Sequence, residues 1–200
     1  PRLGGSIALK GGRIDDLTML DYKATIDEGS PAVTLFSPQG APQPYFGQFG
    51  WVPIGELKVP DSDTVWQADH PSVQPARPLT LSWDNGQGVR FIQVVEIDDN
   101  FMMTVTQRVE NNSTQAISTH PYGRIARTHT PNTLGFYILH EGPLAVFNET
   151  LKEVDYDDLQ EGPADATKST GGWIGITDKY WLAVLAHDQD QEIEAAFRYS

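Results

Sequence analysis

The chain has 200 residues, 39% of them apolar, and 14 basic against 27 acidic side chains give a formal charge of −13. That charge argues against nucleic acid as a partner, because its phosphates would be repelled, and against the chain docking by itself on an anionic membrane surface. The absence of cysteine excludes disulfides, thiolate catalysis and cysteine-based zinc sites together.

The chain opens "PRLGGSIALKGG", in strand-like sequence with no signal peptide, which reads as an excised or processed fragment. No run approaches eighteen uninterrupted apolar residues, so no membrane-spanning helix is expected. The hydrophobic period is two nearly everywhere. In "SIALKGGRIDDL" a turn at Gly11-Gly12 joins two short apolar runs. Residues 37–66 break the regularity with prolines and glycines, which predicts a long excursion holding only short strands. A second irregular piece covers 67–78.

The firmest expectation is a long hairpin. Val89, Phe91, Val95 and Ile97 alternate with polar residues, and so do Phe101, Met103, Val105 and Val109, with Asp98-Asp99-Asn100 between the runs. Later hairpins are expected to turn at Asn148-Glu149 and at Thr177-Asp178-Lys179. "EIEAAFRY" closes the chain as a strand. Within "GGWIGITDKYWLAVLAH", Trp173 and the Ile174/Ile176 pair should face opposite sides. "YWLAVLA" is apolar enough to predict a strand covered on both faces. Turn signals every 8–15 residues or so suit a sandwich or barrel. The reading is one all-β domain over 1–200, two antiparallel layers with few short helices.

Few residues form a chemical constellation. His70, His120, His129, His140 and His187 show no metal-ligand spacing. Glu149 to Glu161, with Asp155, Asp157 and Asp158 inside it, lacks the glycine and distal glutamate of a helix–loop–helix calcium loop, and "LKEVDY" reads as an exposed strand. The Asn-x-Ser/Thr matches at Asn111, Asn112 and Asn148 are equally well explained as turn residues. Tyr45, Phe46, Phe49 and Trp51 cluster, and are the candidate partner-binding residues if they line a groove. "THPYGR" resembles the strand of aldose epimerase-like sandwiches that carries a sugar-contacting histidine. On that alternative His120 is the general acid and one of Glu149, Glu153, Glu161 or Glu192 the base, or the Tyr45–Trp51 aromatics stack on sugar rings. No catalytic residue, metal site or cofactor is assigned.

"TGGWIGITDKYWLAVL" carries a more specific resemblance, to the large periplasmic domain of YidC-type membrane protein insertases of Gram-negative bacteria. "GGRIDDLTMLDY", "YFGQFGW", the "VRFIQVVEIDDNFMMTVTQRVENN" hairpin and "EGPLAVFNETLKEVDYDDL" agree in order. Gly171, Gly172, Trp173, Asp178, Lys179, Tyr180 and Trp181 mark the motif. The resemblance implies a β-super-sandwich, similar to the aldose epimerase and carbohydrate-binding sandwiches. It implies a non-catalytic domain in the periplasm, tethered to the inner membrane between the first two transmembrane helices of a longer protein. It implies contacts with accessory Sec subunits and with translocating membrane-protein segments.

Overall fold

The computed structural model describes residues 2–133, 138–162 and 166–199. It divides into two compact units, Pro1–Ala126 and Arg127–Ser200. Ten strand pairs among the described residues run antiparallel, as expected of an all-β sandwich.

In the first unit one sheet holds β1 (Leu3–Ala8), β2 (Arg13–Lys23), β3 (Ala32–Phe36), β4 (Tyr45–Pro53) and β9 (Thr119–Arg127). Its order is β1-β2-β4-β9, with β3 also on β2. The second sheet has the order β5 (Gln67–Ala68), β6 (Leu79–Asp84), β7 (Val89–Ile97), β8 (Met103–Asn111). The two sheets bury a core of Trp51, Trp66, Leu79, Leu81, Val89, Phe91 and Val95. The Trp51 ring stacks on Trp66 at 6.1 Å and meets the edge of Phe91 at 5.1 Å.

Two glutamines cross this layer. The Gln93 amide, 1% exposed, donates to the Phe49 carbonyl at 2.9 Å, and Gln107 donates to the Gly50 carbonyl at 2.7 Å. A buried carbonyl left without a donor costs about 1–3 kcal/mol. These side chains therefore fix how one sheet lies on the other.

The long hairpin forms as expected, with Val89 opposite Asn111 and Ile97 opposite Met103. Its turn is longer than the sequence suggests. The Asp98 carboxylate accepts from the amides of Asn100 and Met102 at 2.7 and 2.8 Å. Phe101 consequently sits in the turn with φ +76° instead of opening the strand. The larger correction is at 37–66, where β4 is a nine-residue strand in the middle of its sheet. Glycine makes room for it. A Cβ on Gly50 would lie 2.7 Å from the Tyr122 hydroxyl, so the absence of side chains reflects close packing, not irregular chain.

The second unit holds a sheet of order β11 (Thr150–Glu153), β10 (Gly142–Phe147), β13 (Trp173–Thr177), β14 (Leu182–Ala186), together with a two-stranded sheet of β12 (Thr167–Thr170) and β15 (Glu192–Ala195). Ala145, Phe147, Leu159 and Phe197 form its core, with Val154, Ile174 and Ala195 packed against them. The β10–β11 turn is Asn148-Glu149, with φ +48° and +63° and Phe147 opposite Thr150. That is the two-residue turn whose twist matches paired strands. "LKEVDY" is strand only as far as Glu153. Tyr156–Glu161 form the short helix α1, which delivers Leu159 into the core.

Candidate functional site

The Gly-Gly-Trp hairpin is the most heavily determined feature of the second unit. Gly172 has φ +90°, and a Cβ there would lie 2.0 Å from the Val146 carbonyl oxygen, so only glycine fits. The Gln189 side chain accepts from the Gly172 amide at 2.8 Å and donates to its carbonyl at 3.1 Å. Ser169, 1% exposed, donates to the Gly171 carbonyl at 3.0 Å and accepts from the Asn148 amide at 2.9 Å. One hydroxyl thus fastens the Gly-Gly entry to the neighbouring hairpin turn.

Beyond the glycines, Trp173 pairs with Val146 on one side and Ala186 on the other. It is half-buried. Ile174 faces the opposite side and the core, as the two-residue period requires. The Thr177-Asp178-Lys179 turn extends to Trp181, where the Asp178 amide donates to the Trp181 carbonyl at 2.8 Å. The Lys179 ammonium lies 4.9 Å from the Tyr180 ring centre, and Tyr180 is exposed.

The returning strand departs from expectation. In β14 only Ala183 is buried, while Leu182 and Val184 are 47% and 41% exposed. The strand is last in its sheet. Composition suggested cover on both faces; among the described residues, position at a sheet edge leaves one face exposed and no strand paired along the outer side.

Four polar side chains gather at the turn. Arg127 Nη1 lies 2.6 Å from Asp178 Oδ1, with the two side chains 12% and 29% exposed. The Tyr156 hydroxyl and His129 Nδ1 are shielded from solvent, and both groups feel the charges of Arg127 and Asp178. Burial holds the Tyr156 hydroxyl above its ordinary range, and Arg127 acts on it in the opposite sense. Burial first, then the Arg127 charge, hold the His129 ring below its ordinary value, with Asp178 opposing. Sequence reading missed this group because its members are scattered from 127 to 178; the only local signal is the i, i+2 spacing of Arg127 and His129.

The other candidate residues are placed as follows. Tyr45, Phe46 and Trp51 are buried in the first unit at 4%, 8% and 4% exposure, and Phe49 is half-buried. Tyr45 packs edge-on against Phe36 at 4.9 Å. His120 is exposed on β9. A surface concavity of about 550 Å³ in the first unit is lined by Val65, Gln67, Ser82, Trp83, Asp84 and Arg90, none of them a residue of the epimerase reading, which the structure does not support. Among the described residues no cluster of three or more histidine and carboxylate side chains is placed to hold a metal ion. Among the same residues no helix is long and apolar enough to cross a membrane.

The comparisons with known proteins agree with the motif. The family model described as "YidC periplasmic domain" matches residues 1–200. The chain is 44% identical over 207 residues to the "Membrane protein insertase YidC" of Methylorubrum extorquens (strain PA1), covering 98% of this chain and 34% of that protein. The protein of the same name in Bradyrhizobium diazoefficiens is 41% identical over 200 residues, covering 98% and 32%. That of Granulibacter bethesdensis is 42% identical over 205 residues, covering 99% and 36%. The chain spans about a third of the length of these curated relatives. By the full-length family match and by the Gly-Gly-Trp hairpin, the chain belongs to the YidC periplasmic domain family.

Proposed function

We propose that the chain is the non-catalytic periplasmic interaction domain of a membrane protein insertase, tethered to the inner membrane. In this reading it supports insertion by holding accessory Sec subunits, and translocating membrane-protein segments, beside the insertion site. The observation that carries the reading is the family match over the whole chain, joined to relatives named as insertases. The open edge at β14 gives the kind of surface such a role needs: unpaired backbone groups and apolar side chains available to an extended partner. Tethering raises the effective concentration, so weak contacts suffice. An acidic surface favours basic or neutral partner segments.

The test is a pull-down of accessory Sec subunits from solubilised membranes with the 200-residue chain as bait. Enrichment over an unrelated domain of equal negative charge is expected. Equal recovery on both baits would sink the Sec part of the reading.

A further inference from the structure

We propose that the outward face of the sheet β11-β10-β13-β14 seats an amphipathic α-helix of a partner protein, with an apolar stripe flanked by lysine or arginine. Residues directly opposite one another in antiparallel strands share a face. Leu151, Val146, Trp173 and Ala186 therefore form one row across all four strands, and Leu144, Gly175 and Val184 form the next, which ends on β11 at Glu153. Leu182 follows on β14, opposite Thr177. The alternate residues Ala145, Phe147 and Ile174 point the other way, into the core of the second unit. Leu151, Leu182 and Val184 are exposed, and Leu144, Val146 and Trp173 are half-buried. Gly175 keeps the surface low: a Cβ there would lie 2.8 Å from the Val184 γ1 carbon. The result is a continuous apolar surface with one indole in it, the kind that marks an interaction site.

Shape and charge select the occupant. Four strands about 4.8 Å apart make a face roughly 14 Å across, and strands of five residues run about 17 Å. One helix, about 10 Å in diameter, covers side chains of several strands at once. A lone extended segment covers a single strand's width. The perimeter is acidic. Glu149 occupies the β10–β11 turn and Glu153 the end of β11. Asp188 and Asp190 follow β14, in a turn that Gln189 ties to Gly172, next to Trp173. All four are exposed, and Lys179 stands against them in the turn after β13. A second copy of the chain would set one acidic rim on another, with −13 on each partner. Lysine or arginine beside an apolar stripe meets opposite charge instead.

The inference rests on the reading of the chain as an interaction domain and is independent of the Sec subunits. Its test uses the 200-residue chain and a fluorescein-labelled peptide of leucine and lysine, spaced as an amphipathic helix of about five turns. Anisotropy should show saturable binding, with a gain of helix by circular dichroism. Replacing the peptide's lysines by glutamate should weaken binding by at least about tenfold. Leu151→Ser combined with Val184→Ser, both at exposed positions, should weaken it by as much. Leu20→Ser combined with Met102→Ser, exposed apolar positions of the first unit, should leave it unchanged. Amide resonances of the wild-type chain should shift within 144–151 and 173–186 on titration, a reading that needs no variant to fold. No binding, binding without helix, equal affinity for the glutamate peptide, equal effects of the two double variants, or shifts centred elsewhere would each overturn the proposal. If the peptide binds and the Sec pull-down fails, only the Sec reading is lost; the reverse pair of results removes this face alone.

Discussion

Gly172 holds φ +90° with Val146's carbonyl oxygen where a side chain would begin. Gly172→Ala therefore combines backbone strain with a clash against main chain, and should cost at least about 2–3 kcal/mol, read as a drop in the urea midpoint with an unchanged slope. Gln93 is a different kind of case. Its amide is the donor for the Phe49 carbonyl across the sandwich, so Gln93→Leu keeps the volume and orphans an acceptor. A loss of about 1–3 kcal/mol is expected by the same measurement, although leucine is the more apolar residue. A stabilised Gln93→Leu protein would show that the carbonyl finds another donor. The motif residues were legible in the sequence as a pattern, but their roles were not. Nothing local says that Gly172 faces Val146, or that Asp178 pairs with a residue 51 positions earlier.

At the scale of elements, hairpins were the readable part. Alternation and short polar turns located β7 with β8, β10 with β11, and β13 with β14, because each is decided by neighbours in sequence. β4 was hidden. Its glycines and flanking prolines carry the signature of loop, and their actual cause is the Tyr122 ring packed over Gly50 from β9. β14 misled in the other direction. An apolar composition says that a strand can be buried, whereas sheet order decides whether it is. Two substitutions separate these cases. Phe147→Ala, in the core of the second unit, should cost about 3–5 kcal/mol. Val184→Thr, on the open side of β14, should stay within about 1 kcal/mol. Thermal unfolding followed by circular dichroism distinguishes them, and a large cost at Val184 would mean that its row is covered in solution.

For the whole molecule the dominant fact is charge. At −13 over 200 residues, the folded chain repels itself, and salt screens that repulsion over a Debye length of about 10 Å at 0.1 M. The melting temperature at neutral pH should therefore rise between low salt and about 0.15 M; a flat or falling melting temperature would mean that the exposed ion pairs Arg2–Asp21, Lys10–Asp63 and Arg108–Glu110 outweigh the net repulsion. Binding to anionic vesicles should be undetectable for the same reason.

Sequence by itself determined the all-β class, the hairpins and the family, since composition, two-residue periodicity and short motifs are properties of adjacent residues. Tertiary structure alone decided which aromatic rings are core, which strand lies at an edge, and which polar groups meet at the 178–181 turn. Those depend on contacts between residues far apart in the chain, where burial and electrostatics act through distance in space and leave no periodic trace in the sequence.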